Sequence, residues 1–183
     1  ISSDSNYINK IGKLNGCEVL QRPKKLATDN ALLSDAIFDS VNKIKNKFKI
    51  KNVVILLCNS ICINHQIIDK AISKMRDKRL DTVTTISKLK LYPSHMVKKT
   101  DDDSLSFYLD SPPIPNRQQQ EPLYFLNGSI TVTTSTFLLN QKDSMYGGKM
   151  KGFLIDDESS MDIDSKFDYN LCKLYLENNL PKR

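Results

Sequence analysis

Apolar residues recur along this chain with two alternating periods. Ile8, Ile11 and Leu14 fall at helical spacing and the run stops at Gly16, which predicts a helix over 6–14. A short strand is expected over 18–21, then a polar loop over 22–29 in which Pro23 disfavours helix at Arg22. Leu33, Ile37, Val41, Ile44 and Phe48 mark one face of a helix over 31–47. The continuous apolar run 52–58 has the character of a strand buried on both faces. A polar turn and a helix over 66–76 follow, then strands over 81–88, 128–133 and 151–155. Phe167, Leu171, Leu174 and Asn178 set the face of a last helix over 165–177.

This alternation of helix and strand predicts an α/β fold with a parallel sheet and right-handed crossovers. Between 92 and 122 the rhythm breaks. Asp101-Asp102-Asp103 suits a turn, four prolines fall between Pro112 and Pro122, and a hairpin pairing 96–99 with 105–108 is expected. In open α/β sheets, ligands lie beyond the carboxyl ends of the strands. The loops expected there hold Arg22, Asp29, Asn59, Ser60, Asp162 and Asp164. That set combines an anion binder with metal-binding oxygens, and it points toward a nucleotide.

Asp162 and Asp164 stand two apart, on one face of an extended chain. Mg2+ is held by one or two carboxylates together with substrate phosphates and water. The competing structural reading is that acidic residues before a helix merely cap it and suit its dipole. Taken alone, Asp-Ile-Asp favours capping, so its meaning depends on the rest of the chain.

Composition narrows the field. The chain has 183 residues, 39% hydrophobic and 26% charged, which fits one ordinary globular domain over 1–183. No apolar run approaches the roughly 20 residues of a membrane span, so no membrane partner is expected and the location is read as cytoplasmic. Cys17, Cys58, Cys62 and Cys172 sit mostly in apolar runs and read as reduced thiols. Cys58, Cys62 and His65 lack a second paired element, so no zinc site is expected. The net charge of +6 owes much to Lys43, Lys45, Lys47, Lys49 and Lys51. With no tryptophan and no aromatic-rich basic strand, this run reads as a solvated lysine face, and no nucleic-acid partner is expected.

An ordered string of motifs resembles the acylneuraminate cytidylyltransferases, the CMP-sialic acid synthetases. The string begins with Ser2-Ser3-Asp4, then Arg22-Pro23-x-x-Leu26-Ala27-Thr28-Asp29, then the turn Cys58-Asn59-Ser60. Arg117-Gln118, Asn127-Gly128-Ser129-Ile130, Gly147-Gly148-Lys149 and Asp162-Ile163-Asp164-x-x-x-Asp168 complete it. The resemblance implies a Rossmann-like nucleotidyltransferase fold, a three-layer sandwich with a mostly parallel sheet. It also implies a homodimer, with the excursion 92–122 as its dimerisation region. The implied reaction transfers CMP from CTP to a nine-carbon keto-sugar acid, with Mg2+ and release of pyrophosphate.

By that resemblance Asp162 and Asp164 are the metal ligands and catalytic residues. Arg117 meets the sugar acid or the reacting phosphate, where a planar fork outperforms lysine. Arg22, Asp29, Asn59 and Ser60 are assigned to the nucleotide, and Gln118, Asn127 and Lys149 to the sugar-acid substrate. Sialic, legionaminic and pseudaminic acids fit alike, since small pocket changes shift such choices by only ~1–3 kcal/mol.

Two departures stand out. The family reads cytosine with a glutamine beside a Thr-Ser-Pro turn, whereas this chain has Cys58-Asn59-Ser60-Ile61-Cys62, leaving Asn59 or backbone groups to substitute. The family's first strand and its Arg-x-x-Ser-Lys-Gly phosphate loop would lie upstream of Ile1. Residues 1–183 alone are therefore expected to be inactive and poorly stable. The alternative reading is a non-catalytic remnant with weak nucleotide binding or a dimer-partner role.

Overall fold

In the computed structural model, residues 1–77, 79–110, 116, 118, 121–141 and 144–179 are described. Two short parallel strands, β1 (Ser2–Ser3) and β2 (Leu20–Gln21), flank helix α1 (Asn6–Leu14). Ser5 caps α1 through its side chain, and the chain leaves at Gly16 with φ 76°, as the sequence pattern predicts. A single 3-10 turn (Lys24–Leu26) and helix α2 (Leu33–Ile44) lead to the larger sheet.

That sheet has the order β3-β7-β4-β8, formed by β3 (Asn52–Leu56), β7 (Tyr124–Thr134), β4 (Thr82–Lys88) and β8 (Met150–Leu154). β3, β4 and β8 run in one direction. β7 lies between β3 and β4 and is antiparallel to both, so the sheet is mixed at its centre rather than uniformly parallel. Helix α3 (His65–Lys74) supplies Ile67 and Ala71 to the core, where they meet Val83, Ile130 and Val132 from the two central strands. Met75, Leu80 and Ile155 close the same cluster.

Alternation along the strands puts a second set of residues on the opposite face. There Thr84 and Thr131 hydrogen-bond at 3.1 Å, and Thr82, Ser129 and Thr133 are also buried. Helix α4 (Ser135–Asn140) contacts β7 and buries Leu138. Its start was not foreseen, although Thr134 is a legible cap and accepts the Phe137 amide.

Between Thr84 and Ile86 the β4–β7 register slips. Asn127 staples the irregularity. Its amide donates to Ser87 Oγ at 2.8 Å, and its carbonyl accepts Thr85 Oγ1 at 2.6 Å and the Ser129 amide at 3.2 Å. Thr85 Oγ1 in turn accepts the Ile130 amide, replacing a lost ladder bond.

The hairpin expected in the excursion is present, with β5 (Val97–Lys99) antiparallel to β6 (Leu105–Phe107) and a turn through Asp101–Asp103. The Gly147-Gly148 turn serves the sheet. Gly148 has φ 64°, and a Cβ there would lie 2.5 Å from Asp81 Oδ2, the oxygen that accepts the Lys149 amide. Helix α5 (Lys166–Asn179) completes the described elements.

Two outcomes follow for urea denaturation. Ile130→Ala, at a fully buried site, should cost about 2–5 kcal/mol. Gly148→Ala should destabilise as well, because its backbone conformation and the Asp81 carboxylate both oppose a side chain.

Candidate functional site

β3 and β8 form the two edges of the four-stranded sheet, and both end at its carboxyl side. Three strand spacings, roughly 14 Å in all, separate them. After β8 the chain nevertheless reaches β3. Ile155 continues the strand pairing by donating to Ile86 O at 3.1 Å. Asp156 then caps the Ser159 amide at 2.7 Å, and Asp157 pairs with Lys90 at 2.8 Å. The Ile163 amide finally donates to Asn59 O at 3.0 Å. The segment thus spans the carboxyl edge of the sheet from one side to the other.

At the end of that crossing the two loops singled out in the sequence meet. Ser60 Oγ donates to Asp162 Oδ1, and Asn59 Nδ2 donates to Asp164 Oδ1 at 3.4 Å. One dipeptide therefore holds both carboxylates. Ser60 is buried, Asp162 half-buried and Asp164 exposed, so the pair faces outward from a buried anchor.

The capping role belongs to other residues. Ser165 Oγ accepts the Asp168 amide at 3.2 Å, and Asp168 Oδ2 accepts the Ser165 amide at 2.7 Å and its hydroxyl at 2.6 Å. This is a reciprocal capping box, and its Ser-x-x-Asp spacing was legible in the sequence. The Ser165 hydroxyl, and after it the amides of Ser165 and Asp164, hold the Asp168 carboxyl below the usual range. Among the described residues, neither the Asp162 nor the Asp164 side chain hydrogen-bonds to the helix; both are used instead in the contact with Asn59 and Ser60.

A buried thiol pair lies behind the contact. Cys62 follows Ser60 by two residues, and Cys172 sits within α5. Burial pushes the Cys62 thiol up to about 12, and the neighbouring Cys172 thiol adds to the shift. Cys62 is therefore a protonated packing group rather than a nucleophile, and Cys172 is buried beside it. Their proximity has no sequence signal, since the two residues lie on separate elements.

The remaining candidates fall elsewhere. Arg22 Nη2 donates to Ser2 O at 2.8 Å and Nε to Ser2 Oγ at 3.3 Å, at the carboxyl end of the β1–β2 pair. Asp29 is exposed in the loop before α2, and no hydrogen bond among the described residues ties it or Arg22 to the acidic turn. Asn127 is buried in the β4–β7 irregularity, with its carbonyl doubly used. Lys149 precedes β8 beside Asp81, at the opposite end of the sheet from Asn59. Gln118 is exposed, its amide donating to Asn116 Oδ1 at 3.2 Å, and Arg117 lies outside the described residues.

No group of three or more His, Cys, Asp or Glu residues able to hold a metal occurs among the described residues. Two hard carboxylate donors, each held by one residue of the Asn59-Ser60 dipeptide, are of the type that suits Mg2+, which takes its other ligands from water and phosphate. Among the described residues, no helix is long and apolar enough to cross a membrane.

No family model matches the chain. An N-acylneuraminate cytidylyltransferase of Streptococcus agalactiae serotype V is 24% identical over 169 residues, which are 92% of this chain and 40% of that protein. The "Post-translational flagellin modification protein B" of Campylobacter coli is 27% identical over an alignment of 184 positions that covers 98% of this chain and 77% of that protein. The chain thus spans about two fifths of the length of the curated cytidylyltransferases it matches.

Among solved structures, CMP:2-keto-3-deoxy-manno-octonic acid synthetase complexed with CTP superposes with TM-score 0.66 at 13% identity, over 98% of this chain and 80% of that one. A 4-diphosphocytidyl-2C-methyl-D-erythritol synthase from Anaerococcus prevotii gives 0.63 at 14% identity, over 95% and 74%. The fold is the α/β Rossmann-like nucleotidyltransferase fold, and the sequence relatives support placement in the cytidylyltransferase superfamily.

The cap gives a direct test. Ser165→Ala should cost about 1 kcal/mol, read by urea denaturation. Because the folded Asp168 carboxyl is lowered, its contribution is complete above the ordinary carboxylate range and is lost as pH falls through the lowered value. Protection factors of the amides in the first turn of α5 should therefore fall at acid pH, and Asp168→Asn should abolish that dependence.

Proposed function

We propose that this chain is the nucleotidyl-transfer unit of an acylneuraminate-type cytidylyltransferase, moving CMP from CTP to a nonulosonic acid and releasing pyrophosphate. The observation that carries the reading is the docking of the Asp162–Asp164 turn on Asn59–Ser60, with both carboxylates free of capping. Its position at the carboxyl edge of the sheet is where α/β folds place ligands. Sequence relatives named N-acylneuraminate cytidylyltransferase support the substrate class.

In this reading Asp162 and Asp164 hold Mg2+, which when bound neutralises charge on the reacting phosphate. The protein's own part is positioning. Ser60 and Asn59 fix the carboxylates, and the crossing segment fixes the loop that bears them. Arg22 and Asp29 serve the nucleotide, with Arg22 held in place by Ser2. Arg117 and Gln118 serve the sugar acid.

The excursion supplies the partner surface of a homodimer. Met96, Val97, Leu105 and Phe107 on the hairpin are exposed, as are Tyr124 and Phe125 at the start of β7. Exposed apolar side chains such as these are what a partner surface would bury.

Two measurements bear on this reading. In a turnover assay of the protein that carries this chain, with CTP, Mg2+ and a panel of sugar acids, Asp162→Ala should lower the rate on the order of a hundredfold or more. The basis is that a metal's charge stabilisation is worth several kcal/mol. Its stability in urea should fall by no more than the ~1–3 kcal/mol of leaving the Ser60 hydroxyl unpaired, and undiminished turnover would remove the metal assignment. Light scattering should show a dimer that Phe107→Asp converts to a folded monomer.

A further inference from the structure

We propose that Ser60 and Asn59 are positioning residues for the Asp162–Asp164 pair, so that the turn after β3 sets the metal site rather than reading a base. The inference rests on the reading above, in which the two carboxylates hold the divalent cation.

Three bonds converge on this dipeptide. The Ser60 hydroxyl donates its only proton to Asp162 Oδ1, so it has none to give a cytosine or a phosphate. One amide N–H of Asn59 goes to Asp164 Oδ1, and the Asn59 carbonyl accepts the Ile163 amide. Each carboxylate thus has one oxygen engaged by a donor. Its other oxygen has no protein partner among the described residues. Ser60 is itself buried, so its hydroxyl is held by packing rather than left to rotate in solvent. Donors behind a metal ligand orient it, and their loss commonly costs 10–100-fold in metal affinity.

The test reads metal binding rather than turnover. Mn2+ is titrated into the isotopically labelled full chain, and paramagnetic broadening of the amide signals of residues 59–60 and 162–165 is followed. Ser60→Ala should raise the Mn2+ concentration for half-broadening about 10–100-fold, while Ser60→Thr, which keeps the hydroxyl, stays near the parent. Asn59→Ala should show a smaller rise, in keeping with its longer bond. Urea denaturation of each variant separates loss of fold from loss of the site.

Unchanged broadening in a folded Ser60→Ala, with broadening abolished by Asp162→Asn, would overturn this proposal and leave the metal assignment standing. Broadening that survives Asp162→Asn, or that never centres on these residues in the parent, would overturn both.

Discussion

The arrangement of this molecule turns on one crossing. Two loops belonging to opposite edges of a four-stranded sheet must meet, and they do so because 155–164 runs along the carboxyl side of the strands and is tied at each step. Ile155 bonds to Ile86 O, Asp157 to Lys90, and Ile163 to Asn59 O. The exposed Lys90–Asp157 pair adds little energy by itself. The backbone bonds at either end do more, since each satisfies a group that would otherwise lack a partner. The buried thiols of Cys62 and Cys172 then fill the space between the turn and α5.

The sheet beneath the crossing is unusual in its polarity. One face of β4 and β7 is aliphatic and packs on α3, while the other buries a series of threonine and serine hydroxyls. Buried hydroxyls are tolerated when paired, and most of these are: Thr84 to Thr131, Thr85 to Asn127, Ser87 to Asn127. Asn127 lies at the centre of this arrangement. An asparagine in a motif otherwise associated with substrate is here spent on holding a register slip, because no other side chain offers donor and acceptor at the spacing that Thr85, Ser87 and Ser129 demand.

Much of the fold was legible because local physics wrote it. The Gly16 stop and the helical spacing of Ile8, Ile11 and Leu14 locate α1 closely, and the helix read over 66–76 overlaps most of α3. β3 declares itself as an apolar run. The first residues of β7, Tyr124–Asn127, did not, because an exposed aromatic-rich stretch beside several prolines carries no clear alternation. The antiparallel placement of β7 was also unreadable, since strand direction within a sheet depends on pairings distant in sequence. At the site, Asp162 and Asp164 could be named but not interpreted. Whether they cap α5 depends on Ser165 and Asp168 taking that role, and whether they meet Asn59 depends on a crossing with no local signature.

In the proposed metal site the two carboxylates of one short turn repel each other, and the arrangement has to be stable before a cation binds. Solvent screens part of the repulsion, because Asp164 is exposed. Charge-assisted donors supply the rest, and hydrogen bonds to ionised acceptors are roughly twice as strong as neutral ones. Ser60 and Asn59 provide them from a turn whose position is set by β3, not by the loop that carries the carboxylates. The geometry is thereby anchored to the sheet, while the second oxygens have no protein partner among the described residues. Because catalysis of phosphoryl transfer is largely a matter of positioning and charge stabilisation, such an anchor contributes most when it is rigid before substrate binds. An anchor in the turn that follows β3 meets that requirement better than one within the loop that carries the carboxylates, and the buried Ser60 lies in that turn.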